Sequence, residues 1–289
     1  MAFDPKTIPG PLLEEYRKGN CGLLVGAGAS AGAGLPQWGD FLTGMVAFAQ
    51  ESLVISDSKA ADYTKLINDK KYLMAASGLK FDLGSFFNDY IKTVFVDPRP
   101  APTALHEAML GLKELKFVLT TNYDTLLERT FRTVDADVTV CTYKAAGEVR
   151  RSLSRREFFI LKAHGDASKS GDGIILTEQD YRTILFKEPA YQHMLATMFS
   201  MYSMVFVGAS MTDPELNLML NYVASTFQPE TGPTHYAAMT KEEISEVESE
   251  RWFRDFKIKI IPVSKANEFA ELTEFLQALG ASTAPATVA

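Results

Sequence analysis

Cysteine is scarce in this chain. Its 289 residues include two, Cys21 and Cys141, and no Cys-x-x-Cys spacing occurs. A tetrahedral thiolate zinc site within one chain is therefore excluded. Both cysteines lie in apolar, strand-like runs, where a free thiol behaves as a small hydrophobe, a usage that fits a reducing compartment. Excess positive charge is also missing: 29 Lys and Arg face 36 Asp and Glu, a net charge of −7. That balance argues against direct, non-specific grip on nucleic acid, which needs clustered cations. The one basic cluster, Arg150, Arg151, Arg155 and Arg156, is short and interrupted, and reads as a solvated loop face. No apolar run approaches the length a membrane span requires, and the opening MAFDPKTIPG has no apolar leader core. A cytoplasmic protein without a membrane partner is expected.

The composition that remains is ordinary for a folded domain: 46% hydrophobic and 22% charged. Such a length builds one large α/β domain, or one with an inserted lobe. The most informative stretch is Cys21 to Trp38, CGLLVGAGASAGAGLPQW. A short apolar run meets Gly26, Ala27, Gly28, Ala29 and Ser30. From Pro36 an amphipathic pattern follows, with Trp38, Phe41, Leu42, Met45, Val46 and Ala49 at helical spacing. Strand, glycine turn and helix start together make a cradle for phosphate, because small residues let the backbone N–H groups approach an anion. The dinucleotide fingerprint would place a third glycine where Ala31 stands, and an acid at the end of the next strand. Neither is plain here; Glu51 falls at the end of the helical pattern.

Along the chain, Leu12 to Lys18 reads as a helix stopped by Gly19 and Asn20. Residues 53–100 lack strand alternation and carry Tyr63, Leu66, Ile67, Phe81, Phe86, Phe87, Tyr90 and Ile91. They read as two or three inserted helices closed by Asp97-Pro98-Arg99-Pro100. Strands are expected at 117–120, 138–141, 158–162, 204–207, 234–239 and 257–263, with helices between them. Apolar strands alternating with helices predict a Rossmann-like parallel sheet covered on both faces. The division expected is a main domain of 1–52 and 101–280, a helical lobe of 53–100, and a disordered tail of 281–289.

In such sheets ligands bind beyond the carboxyl ends of the strands. Four polar clusters follow four strands: Gly26 to Ser30, Thr120 to Asp124, His164 to Asp166, and Gly208 to Ser210. Asn122 or Asp124 could each cap the next helix. His164 could be a loop residue or, titrating near neutral pH on the rim, a general base. Ser210 could cap a helix or bind a ribose hydroxyl or phosphate.

GAGAS with the following GLP, TTNYD at 120–124, AHG at 163–165 and VGAS at 207–210 resemble the sirtuin core in order and spacing. NYD and LTEQDY at 176–181 look like the bacterial sirtuin-like branch that includes anti-phage defence effectors. The resemblance covers roughly residues 20 to 225. It implies NAD as substrate, with Gly26, Ala27, Gly28 and Ser30 as phosphate-loop contacts. It also implies Asn122 and Asp124 near the nicotinamide and its ribose, His164 as the catalytic histidine, and Gly208 and Ser210 toward the adenosine side.

Departures matter equally. The family's four-cysteine zinc ribbon is absent after His164, and Gln37-Trp38 stands where the family has Asp-Phe-Arg. Acyl-peptide binding is thereby disfavoured, and water is the remaining nucleophile. The expected activity is NAD glycohydrolysis to ADP-ribose and nicotinamide without zinc, in a triggered defence effector. The alternatives are a protein deacylase or a non-catalytic NAD-binding assembly subunit. Because the sequence ends soon after this core, a separate, co-encoded activating protein is expected. A homo-oligomer is expected too, since a lobe of under fifty residues has little interior for so many aromatics.

Overall fold

The computed structural model describes residues 3–96, 99–169, 173–209, 214–226, 232–242 and 244–282. Ser210, Asp213, the Asp97-Pro98 pair and the tail from 283 lie outside these. Seven strands form one sheet: β1 (Cys21–Val25), β2 (Leu115–Thr120), β3 (Thr139–Thr142), β4 (Phe159–Lys162), β5 (Ser203–Val207), β6 (His235–Thr240) and β7 (Ile258–Val263). Their order is β3-β4-β2-β1-β5-β6-β7, and every pairing is parallel. The four strands whose ends carry the polar clusters, β4, β2, β1 and β5, are therefore consecutive in the sheet. Their carboxyl ends share one edge.

The helices are α1 (Gly10–Arg17), α2 (Trp38–Glu51), α3 (Asp57–Asn68), α4 (Tyr72–Leu83), α5 (Phe86–Phe95), α6 (Ala104–Met109), α7 (Leu126–Phe131), α8 (Ala146–Arg155), α9 (Glu178–Lys187), α10 (Pro189–Met201), α11 (Pro214–Thr226), α12 (Glu246–Phe256) and α13 (Ala266–Ala281). They cover both faces, so the central strands are buried along their whole length. Side-chain alternation divides them between two cores. Leu24, Leu119, Leu161 and Phe206 face one; Leu23, Val25, Val118, Ile160 and Val205 face the other.

A third apolar cluster lies beyond the carboxyl edge. It joins α2 (Phe41, Leu42, Met45) to α3, α4 and α5 (Tyr63, Leu79, Phe87, Tyr90, Ile91, Phe95), and reaches Tyr123, Leu126, Ile174 and Leu176 beside the strand ends. By sharing α2 and the edge loops, the inserted helices find an interior that they would lack alone. Phe87, Tyr90 and Ile91 are thus buried, while Phe81 and Phe86 remain exposed.

Two local expectations are corrected. Two 3-10 turns, Ala27–Ala29 and Ala31–Ala33, follow β1, and α2 starts at Trp38 rather than at Pro36. The glycine stretch therefore does not lead straight into a helix N-terminus. The arginine cluster is solvated as expected, but it lies on a helix and not a loop: its first three members are exposed on α8, whose Val149 and Ser152 are buried. Arg156 closes that helix in the left-handed region, at φ 58°. Single apolar residues three or four apart, separated by arginines, were enough to seat a helix on the sheet.

Candidate active site

The loop after β1 is held from both sides. Toward β5, the Gly26 N–H donates to the Val207 carbonyl at 3.0 Å, and the Gly28 N–H donates to the Gly208 carbonyl at 2.9 Å. This approach is possible only without side chains. A Cβ on Gly26 would lie 2.6 Å from Ala209 Cα, and one on Gly28 would lie 2.7 Å from the Gly208 oxygen. On Gly208, at φ +61°, a Cβ would lie 2.3 Å from the Ala29 nitrogen. The missing side chains make room for the β5 loop, and the N–H donors of Gly26 and Gly28 are engaged within the protein.

Toward β2, the contact runs through side chains. Asn122 Nδ2 donates to the Gly26 carbonyl at 3.2 Å and to Ser30 Oγ at 3.0 Å. Ser30 Oγ in turn donates to Asp124 Oδ2 at 2.9 Å. Because the Gly26 carbonyl can only accept, the amide orientation of Asn122 is fixed by chemistry. The other carboxylate oxygen, Asp124 Oδ1, accepts the Leu126 N–H at 2.9 Å, at the start of α7. Asp124 thus holds the first N–H of α7 from one residue ahead of the N-cap position, Thr125. Asn122 is freed from that role and spans the two loops. Its Oδ1 is buried and has no hydrogen-bond partner among the described residues. A buried acceptor of this kind is suited to a donor brought by a ligand.

His164 follows β4, in the turn made possible by Gly165 at φ +89°. Its place on the rim is as expected, but titration near neutral pH is not, because the side chain is buried. Only 4% of its surface is exposed, and its ring packs against Tyr123 and Tyr181, at centroid distances of 6.3 and 5.7 Å. Burial disfavours the imidazolium and depresses the pKa to about 3. A short strap, residues 173–177, is bound to the same turn. The Ile175 N–H donates to the His164 carbonyl at 3.0 Å, and Tyr123 Oη donates to the Ile175 carbonyl at 2.7 Å.

A lysine of the inserted helices clamps the same strap. Lys80 Nζ, on α4, meets the Ile174 carbonyl at 3.1 Å and Asp180 Oδ2 at 2.7 Å. Burial opposes the charge of Asp180. Hydrogen bonds from Lys80 and from the Thr177 and Leu176 N–H groups prevail, however, and hold its carboxyl below the ordinary range. Asp180 also completes the capping box with Thr177 that opens α9.

Of the residues nominated from the sequence, the structure thus brings together Gly26, Ala27, Gly28, Ser30, Asn122, Asp124 and Gly208. It places His164 one strand further along the same edge, and Ser210 lies outside the described residues. Sequence reasoning missed Lys162, Glu128 and Asp166, a buried ionic cluster beneath this edge. The available signal was a lysine ending the otherwise apolar FFILK run. Among the described residues no helix is long and apolar enough to cross a membrane, and no group of three His, Cys, Asp or Glu could hold a metal. A surface hollow of about 820 Å³, lined by Lys144, Glu148, Arg150, Arg151 and Ser154, contains none of the nominated residues.

Residues 116–261, half of the chain, match the SIR2-like domain family. The chain belongs to that family. Defense-associated sirtuin 2 of Bacillus subtilis is 27% identical over 217 residues, 73% of this chain and 20% of the relative. The NAD(+) hydrolase ThsA of Bacillus cereus is 25% identical over 280 residues, 91% of this chain and 54% of the relative. A second NAD(+) hydrolase ThsA, from Cytobacillus dafuensis, is 22% identical over 299 residues, 96% of this chain and 56% of the relative. The chain thus spans between one fifth and rather more than half the length of these relatives. The SIR2-like domain here includes β2, β4 and β5, and with them Asn122, Asp124, His164 and Gly208. The glycine loop of β1 lies N-terminal to the matched segment.

Proposed function

We propose that this SIR2-like domain is an NAD glycohydrolase, yielding ADP-ribose and nicotinamide, and serves as a cytoplasmic effector of anti-phage defence. The observation that carries the reading is the relay Asn122–Ser30–Asp124. It locks the β1 loop to the β2 loop and leaves one buried amide oxygen, Asn122 Oδ1, to meet a substrate hydroxyl or water. The names of the relatives support the same chemistry.

In the reaction, the bond between the nicotinamide nitrogen and the ribose C1′ breaks, and its electron pair leaves with nicotinamide. Water adds its oxygen to C1′ and gives up a proton. Asn122 orients the ribose or the water, and Asp124 holds Ser30 and the α7 terminus in register. Ala27 and the rest of the β1 loop line the phosphates, with Gly208 toward the adenosine. His164 receives the proton, for which a pKa near 3 is poorly suited. Opening the strap over His164 would restore hydration and raise its pKa toward the ordinary value near 6.5. The covered histidine therefore supports a gated enzyme: the Lys80 clamp links the gate to the inserted helices, on which a separate activating protein or self-association would act. The homo-oligomer reading now rests on exposed Phe81 and Phe86, since Phe87, Tyr90 and Ile91 are already buried.

Chromatography of NAD incubated with the protein and an acetyl-lysine peptide separates the possibilities. Equal nicotinamide and ADP-ribose support hydrolysis. O-acetyl-ADP-ribose would instead identify a deacylase, and binding without turnover, in the presence of the activator, a non-catalytic subunit.

A further inference from the structure

Lys162, the last residue of β4, is fully buried. Its Nζ contacts four groups, on two loops and on α7. It donates to the Tyr123 carbonyl at 3.3 Å and to the Asp124 carbonyl at 2.5 Å. It pairs with Glu128 Oε1 of α7 at 2.7 Å and with Asp166 Oδ1 at 3.2 Å. Asp166 is itself fixed by the N–H and hydroxyl of Ser168, at 3.0 and 2.7 Å. One ammonium thus ties the backbone that carries Asn122 and Asp124 to the turn that carries His164.

Two carboxylates face this one buried cation, and Asp166 Oδ2 also lies 3.9 Å from the half-exposed Lys169 Nζ. Burial raises the pKa of Glu128 despite Lys162, whereas the same ammonium and Ser168 outweigh burial and lower that of Asp166. Glu128 Oε2, moreover, has no hydrogen-bond partner among the described residues. A buried ionic cluster gains little stability over an apolar filling of the same volume. Its particular effect here is geometric, because an apolar side chain could fill the space but could not bind the two carbonyls.

We propose that Lys162 is a positioning residue for the reaction, setting the backbone at Tyr123–Asp124 so that Asn122 and Asp124 stand in register with His164. This rests on the NAD glycohydrolase reading for the identity of the reaction, though the geometric role is testable without turnover. Lys162 touches no substrate and moves no proton.

The experiment compares wild type with Lys162→Met and with the triple variant Lys162→Met, Glu128→Gln, Asp166→Asn, which leaves no buried charge uncompensated. Thermal unfolding, NAD binding, NAD turnover and hydrogen exchange of the 121–127 backbone are measured on each protein. Lys162→Met alone should be unstable. The triple variant should recover most of the wild-type melting temperature and bind NAD within about threefold of wild type. Its kcat should nevertheless remain at least a hundredfold low, and residues 121–127 should exchange faster while the rest of the sheet does not. Recovery of kcat in step with stability, or unchanged exchange at 121–127 in a folded triple variant, overturns the proposal. If wild type does not cleave NAD even in the Lys80→Ala background that frees the strap, the function reading fails, and the exchange measurement alone decides the positioning role.

Discussion

Replacing Asn122 by alanine separates a residue of the site from a residue of the framework, and the structure sets the magnitudes. Two hydrogen bonds disappear, to the Gly26 carbonyl and to Ser30 Oγ. Neither partner is orphaned. The Gly26 carbonyl still accepts the Ala29 N–H at 3.0 Å, and Ser30 still donates to Asp124 at 2.9 Å. The hydrogen bond at the start of α7 is untouched, since Asp124 supplies it. The cost is therefore the net worth of two hydrogen bonds, about 1–2 kcal/mol in all, or roughly 2–5 °C in melting temperature for a chain of this size. Losing a group that orients the reacting atoms costs far more, about a hundred- to a thousandfold in turnover. Melting temperature by scanning fluorimetry and nicotinamide release under one activating condition give both numbers. The companion Ser30→Ala variant should couple to Asn122→Ala by about 1 kcal/mol in a double-mutant cycle. Wild-type turnover in a folded Asn122→Ala protein would refute the site. A melting temperature lowered by more than about 10 °C, with turnover lost only in proportion to the unfolded fraction, would make Asn122 purely structural.

Other outcomes follow from the same geometry. His164→Ala should abolish turnover but also destabilise, because the ring is buried between Tyr123 and Tyr181; by analogy with other large-to-small core changes the cost is about 2–4 kcal/mol, so His164→Gln is the better test of chemistry, read by the same two assays. His164 and His235, held by burial at pKa values of about 3 and 4, lie below the unfolded value. Their stabilisation is present above about pH 6.5 and is lost as pH falls through that window, at most roughly 5 kcal/mol between pH 6.5 and 4.5; urea midpoints across that range should fall, and less steeply in a His235→Gln protein. Lys80→Ala should change stability by less than about 1 kcal/mol, since the pair with Asp180 is partly exposed, yet speed hydrogen exchange at 174–177 and raise unstimulated NAD cleavage. Gly208→Ala, strained at φ +61° and 2.3 Å from the Ala29 nitrogen, should lower the melting temperature and uncouple the β1 and β5 loops; a fully stable variant would show that this approach is not tight.

What could be read from the sequence was what local periodicity encodes. The apolar runs CGLLV, FVLT, FILK and MVFV became strands because both faces of a parallel sheet are covered, and their shared edge followed from the parallel order. The four polar clusters pointed to that edge without structure. Roles within it depended on which partner each donor finds across the fold, and no spacing encodes that. Asn122 and Asp124 are two residues apart and both cap helices well; only the position of Ser30 and Gly26 separates the bridge from the cap. Gly26 and Gly28 read as an anion cradle, whereas their missing side chains make room for Gly208 and Ala209. His164 reads as exposed because the rings that pack on it, Tyr123 and Tyr181, and the strap bound to its carbonyl come from other parts of the chain, the strap being clamped from α4, a hundred residues away from Asp180. Lys162 falls within the strand expected at 158–162, and nothing in FFILK encodes the two carbonyls and two carboxylates that it meets.

A crystal structure of the Lys80→Ala protein with ADP-ribose tests the central claim most directly. The account predicts the diphosphate against the β1 loop at Ala27, a ribose hydroxyl donating to Asn122 Oδ1, and His164 uncovered within reach of the ribose C1′. ADP-ribose seated instead in the hollow lined by Lys144, Arg150 and Arg151, with Asn122 and His164 unchanged, would contradict it.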